Sequence, residues 1–152
     1  MALEVVSERL GNLASFEVGR RTVERVAIAS DDLAKRVLRL RTDAHEIGVR
    51  LADGARLRDG DVVYADDARV VAVSVSADDV LVCRPRSIAQ ALAVAHALGN
   101  RHLPMQLDGD ALVVRHDRLV ERLFADLDAP FTREERTLAA PFRHADAPHG
   151  HA

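Results

Sequence analysis

Aromatic residues are scarce in this chain, at 3% of 152 positions with a single Tyr and no Trp. Its core must therefore be aliphatic, and the 48% hydrophobic content supplies enough Val, Leu, Ile and Ala to build one. Cys83 is the only cysteine, which excludes an intramolecular disulfide. No apolar run approaches the ~20 residues that a membrane-spanning helix needs. The opening MALEVVSERLG does not have the layout of a signal peptide. These absences point to a cytoplasmic protein without a membrane partner. An excess of positive charge is missing too: the formal net charge is −3. Nucleic-acid binders carry a basic footprint, so that class is set aside. Lys35 is the only lysine, which leaves 20 of the 21 basic residues as arginine and reads as a genome-wide preference. The densest basic stretch, Arg36-Val-Leu-Arg39-Leu-Arg41, alternates with apolar residues as solvated strand faces do. P-loop, G-x-S-x-G and H-E-x-x-H patterns are all absent, and Cys83 sits in an apolar run, so an enzyme is not expected.

The first 76 residues read as short strands divided by close turn signals. Val26 and Ile28, Leu38 and Leu40, then Ile47, Val49 and Leu51 each alternate along a strand. Asp-Gly turns follow at Asp53-Gly54 and Asp59-Gly60, and Val71, Val73 and Val75 alternate again. That spacing predicts a small all-β domain, a barrel or sandwich, over 1–76.

From residue 77 the punctuation changes. Val80 to Cys83 is a continuous apolar strand, and Ser87 is a suitable cap for a helix reaching Leu98, with Gly99 as its stop. Ile88, Ala91, Leu92 and Ala95 give that helix one apolar face. Leu103–Leu107 and Ala111–Val114 flank an Asp108-Gly109 turn, as in a hairpin. A second helix starts near Asp117, with Leu119, Val120, Leu123, Phe124 and Leu127 as its stripe. Arg133–Leu138 completes a strand-helix-strand-strand-helix-strand order, the ferredoxin-like arrangement. The fold class is thus α+β: an N-terminal all-β domain, a ferredoxin-like βαββαβ domain over 77–143, and a tail over 144–152 without periodicity.

Histidine carries the chemistry. Three of the seven histidines, His144, His149 and His151, crowd into the last nine residues, where imidazoles can wrap a borderline-soft cation. His102 follows Gly99-Asn100-Arg101 at a helix-to-strand junction, which exposes its side chain. One imidazole makes a poor site, but a two-fold dimer presents the same patch twice. His116 lies beside the start of the second helix and is a candidate secondary ligand. His96 reads as packed or solvated on the first helix, and His45 as a loop residue without a role.

The run Gly99-Asn100-Arg101-His102-Leu103-Pro104-Met105-Gln106 resembles the urease accessory protein E family. Arg41-Thr42-Asp43 with Ile47-Gly48-Val49, Leu57-Arg58-Asp59-Gly60-Asp61-Val62 and Ala140-Pro141-Phe142 extend the likeness over most of the chain. The resemblance implies a nickel metallochaperone for urease maturation. It further implies a β domain that contacts partner proteins, and dimerisation and nickel binding through the ferredoxin-like domain. It assigns the metal-binding role to His102, and more loosely to His144, His149 and His151. His116 matches a position where some members carry a further histidine, while Arg118 stands where another would be. By the same resemblance the partners are a second copy, the urease accessory GTPase and the apo-urease assembly complex. Imidazole ligands suit zinc and copper as well as nickel. The competing reading is a metal-independent protein-binding module of an assembly complex.

Overall fold

The computed structural model describes residues 3–142, which divide into two compact units. The first comprises the described residues up to Ala77 together with Thr137–Pro141. Its strands are β1 (Leu3–Val6), β2 (Gly11–Asn12), β3 (Thr22–Ile28), β4 (Val37–Arg41), β5 (Glu46–Arg50), β6 (Asp61–Ala65) and β7 (Arg69–Val75), with one 3-10 turn at Ser30–Ala34. They form a three-stranded sheet ordered β1-β5-β4 and a four-stranded sheet ordered β2-β6-β7-β3. Period-2 alternation sends Leu40, Ile47 and Val49 of one sheet, and Ile28, Val63, Val71, Val73 and Val75 of the other, into a shared aliphatic core. Ile47 is fully buried, so Ile47→Ala would cost ~2–5 kcal/mol. Two pairings, β1 with β5 and β3 with β7, are parallel. Turn signals between neighbouring strands do not reveal such pairings, because parallel partners need crossover connections.

The Arg58-Asp59-Gly60-Asp61 turn is a structural clasp. Asp61 is fully buried; its Oδ2 accepts the Arg58 amide at 2.8 Å and its Oδ1 the Asn12 side-chain amide at 3.0 Å. Asp59 Oδ1 accepts the Val75 amide at 2.8 Å. Gly60 has φ +80°, and a Cβ there would lie 3.1 Å from Asn12 Oδ1. Backbone conformation and space both favour glycine.

The second unit holds β8 (Asp78–Cys83), α1 (Ile88–Asn100), β9 (Gln106–Asp108), β10 (Ala111–Arg115), α2 (Arg118–Asp126) and β11 (Phe131–Arg136). Its sheet is ordered β11-β8-β10-β9 with every pairing antiparallel, which is the ferredoxin-like fold expected from the element order. Both helices start on side-chain caps. Ser87 Oγ accepts the Gln90 amide at 3.1 Å, and Asp117 Oδ1 accepts that of Leu119 at 2.6 Å. Each cap contributes about 1 kcal/mol. Val94 and Leu98 of α1 and Val120, Leu123 and Phe124 of α2 pack on Leu81, Cys83, Leu112 and Val114 of the sheet. On the opposite sheet face Val80, Val82, Ala111 and Val113 cluster with Phe142.

Three local expectations are corrected. Helix α1 runs past Gly99 to Asn100, and the residue with left-handed backbone is His102. The stripe that α1 buries is Val94 and Leu98, while Ile88 and Leu92 of the expected face are 81% and 65% exposed. Leu119 of α2 is exposed as well. Periodicity finds apolar faces, and only packing selects which one enters the core.

Candidate metal centre

His102 owes its position to the way α1 ends. The Leu103 amide bonds back to the Leu98 carbonyl at 3.1 Å and the His102 amide to that of Gly99 at 3.0 Å, the paired closure of a Schellman cap. The left-handed position of that cap is usually glycine, but here it is His102, at φ 54°. Leu98 and Leu103 tuck into the core on either side, so the imidazole between them is turned outward and exposed. No described residue hydrogen-bonds or ion-pairs with its ring.

The other described histidines are engaged. His45 Nε2 accepts from the Arg69 guanidinium, and its ring stacks on Tyr64 with centroids 6.2 Å apart. His96 Nε2 meets the Asn100 side-chain amide at 3.0 Å. His116 donates from Nε2 to Glu121 at 3.0 Å and has Nδ1 3.5 Å from Asp79, in a side chain only 17% exposed. Asp79 is in turn held by both nitrogens of the Arg133 fork, at 2.9 and 2.7 Å, and those bonds pull its carboxyl below the usual range. His116 is therefore the middle of a Glu121–His116–Asp79–Arg133 chain. The pairing of Gln106 with Val113 puts the approach to β9 and the exit from β10 at the same end of the sheet, so His102 and His116 share that end. Among the described residues no group of three or more His, Cys, Asp or Glu side chains is placed to hold a metal ion. His144, His149 and His151 lie outside the described residues. Burial pushes the Cys83 thiol up, away from the thiolate that a ligand or nucleophile needs.

Composition alone did not disclose what surrounds His102. Ile88, Leu92 and Leu107 are 81%, 65% and 71% exposed. They line a groove of about 530 Å³ that also includes Ala95 and Met105. A second groove of about 420 Å³ shares Ala95, Met105 and Leu107 and ends at His102. The free imidazole thus stands at one end of a continuous apolar strip formed by α1 and the sheet's edge strand β9. The signal was present in the sequence: α1 is apolar on two sides, and a helix can bury only one of them on its own sheet.

Among the described residues, then, one histidine is unpaired and an apolar strip lies beside it, on the ferredoxin-like unit of a two-unit α+β protein. Residues 6–76 match the family model described as UreE urease accessory protein, N-terminal domain, and residues 78–152 match that of the C-terminal domain. The chain belongs to the UreE urease accessory protein family, which is not a family of enzymes. It is 46% identical over 140 residues to the urease accessory protein UreE of Bacillus sp. (strain TB-90), covering 91% of this chain and 95% of the relative. Over 148 residues it is 39% identical to that of Staphylococcus carnosus (strain TM300), covering 95% and 99%. Against that of Geobacillus kaustophilus (strain HTA426) the identity is 41% over 141 residues, covering 92% and 95%.

Proposed function

We propose that this protein is a cytoplasmic nickel metallochaperone of urease maturation, working as a homodimer in which two copies of His102 share one Ni²⁺. The observation that carries the reading is the ring of His102: exposed, and the only described imidazole without a partner. A neutral imidazole is a good donor to nickel, and one per chain is too few, so a second copy is needed. The strip of Ile88, Leu92 and Leu107 beside it supports a two-fold contact through α1 and β9, which would remove exposed apolar surface from water. His144, His149 and His151 supply further imidazoles in this reading. His116 takes part only by leaving Glu121 and Asp79, which makes it a weaker donor than His102. A site of surface and tail ligands can exchange them one at a time, which suits an ion that is to be passed on. The name shared by the relatives, urease accessory protein, supports a place in urease assembly. Its partners in this reading are the urease accessory GTPase and the apo-urease assembly complex, and the β unit supplies the partner contact. The same ligands hold zinc or copper, so nickel selectivity comes from geometry and supply.

The test is a calorimetric nickel titration of three proteins: the full chain, His102→Ala, and a chain ending at Phe142. One tight ion per dimer in the full chain, lost in His102→Ala and weakened by truncation, is the expected result. Equal binding by all three would remove His102 from the mechanism and favour a metal-independent protein-binding module.

A further inference from the structure

The outer face of the β1-β5-β4 sheet carries residues that neither the core nor the metal reading uses. Strand alternation puts Val5 of β1, Val37, Arg39 and Arg41 of β4, and Glu46, Gly48 and Arg50 of β5 on this side. The register lines up Val5, Gly48 and Arg39 in one row across the sheet and sets Val37 opposite Arg50 in the next. Gly48 has no side chain, so the centre of the face is a depression between two exposed valines. Val5 is 67% and Val37 65% exposed, and the groove they line measures about 490 Å³. Its rim is cationic. Arg39 and Arg41 share the single carboxylate of Glu46, at 3.4 and 3.5 Å, and Arg50 has no ion pair with any described residue. Three guanidinium groups against one carboxylate make a positive face on a chain whose net charge is −3.

We propose that this face docks an acidic segment of a partner protein, with an aliphatic side chain seated over Gly48 between Val5 and Val37 and carboxylates on Arg39 and Arg50. Apolar walls beside planar guanidinium forks fit a peptide carrying both chemistries, whereas a phosphate backbone would leave Val5 and Val37 uncovered. Rim charges of this kind steer encounter and choose partners more than they add affinity. The face belongs to the unit without His102, and the proposal stands whether or not the nickel reading does.

The test is an amide chemical-shift titration of the ¹⁵N-labelled full chain with a hexapeptide alternating Glu and Leu. Parallel titrations use Lys–Leu and Glu–Ser hexapeptides and heparin. Saturable shifts centred on Val5, Val37, Gly48 and Arg50 are expected with Glu–Leu, with binding weaker by about tenfold or more for Glu–Ser and for the Arg39→Glu/Arg50→Glu variant. The variant's spectrum away from this face reports that it is folded, and Arg50→Gln serves in its place if it is not. Nickel stoichiometry should be the same in the variant as in the parent chain. Absence of saturable binding, shifts centred elsewhere, or binding of Glu–Ser or heparin as tight as that of Glu–Leu would each overturn the proposal.

Discussion

The two helices of the ferredoxin-like unit end in the same way and use the result differently. His102 follows α1 with φ 54° and Asp128 follows α2 with φ 49°, each a non-glycine residue in a left-handed position. The Leu103-to-Leu98 bond of α1 has its counterpart in Ala129 to Phe124, and His102-to-Gly99 in Asp128 to Ala125. At Asp128 both the carboxylate and the carbonyl have partners. Arg86 Nη1 donates to its carboxylate at 3.1 Å and to its carbonyl at 2.9 Å, and the Gln90 side chain donates to the same carbonyl at 2.9 Å. That corner ties the start of α1 to the end of α2. At His102 the backbone closes identically, yet the ring has no partner among the described residues. Histidine is tolerated in the left-handed region, but glycine adopts it at lower cost. One corner thus ties its side chain into the fold, and the other leaves its side chain without a partner among the described residues.

Exchanging these corners for glycine separates the two uses. His102→Gly is expected to weaken nickel binding by roughly a hundredfold, ~2.8 kcal/mol, while Asp128→Gly leaves it unchanged; calorimetry on both decides. Equal losses would mean that helix closure, not the imidazole, governs binding. The next effect compares the exposed leucines of the two helices. Leu92→Asp on α1 should weaken self-association by about tenfold or more in sedimentation equilibrium, with Leu119→Asp on α2 as the silent control. A dimer indifferent to both would move the interface off α1. Smaller still is the backbone effect. His102→Gly should raise stability in urea unfolding by about 1 kcal/mol or less, because left-handed strain is relieved, whereas Asp128→Gly gives up its Arg86 pair and gains less.

The smallest effect lies in the β unit. Asp66 accepts the Ala68 and Arg69 amides, the Tyr64 hydroxyl and the Arg69 guanidinium, with the Ala68 bond the largest influence, and its pKa falls from 3.8 to about 2. A depressed carboxylate stabilises the folded chain above its unfolded pKa, and the contribution is lost as pH falls from near 4 through about 2. Asp66→Asn should therefore flatten the acid side of a Tm-against-pH curve. An unchanged slope would show that Asp66 holds its partners equally well when protonated.

Much of the fold is legible in the residues themselves. The alternation of Leu38 and Leu40, of Ile47, Val49 and Leu51, and of Val71, Val73 and Val75 corresponds to core-facing positions, and Ser87 and Asp117 are the observed helix caps. The parallel pairings of the β unit are not legible, because they join strands with no local signal in common. The segment Thr137–Pro141 groups with the first unit, a grouping that no composition shift marks. For the site, the Gly99-Asn100-Arg101-His102 motif singles out one histidine, but spacing alone describes it as an ordinary surface residue. Glycine at position 99 also misdirects, since the helix passes through it and closes on His102.

By itself the sequence determined an aliphatic core, the order of strands and helices, the family, and which imidazoles the chain possesses. Those properties follow from residue type and short-range periodicity. Tertiary structure decided which apolar side of α1 meets the sheet and which is left beside His102. It also decided that His45 and His116 are engaged, whereas His96 meets Asn100 within its own helix and His102 has no partner among the described residues. His45 and His116 meet partners that distant strands bring up, Arg69 from β7 and Asp79 from β8. Contacts between residues distant in the chain exist only once the strands are in register, so no local pattern encodes them.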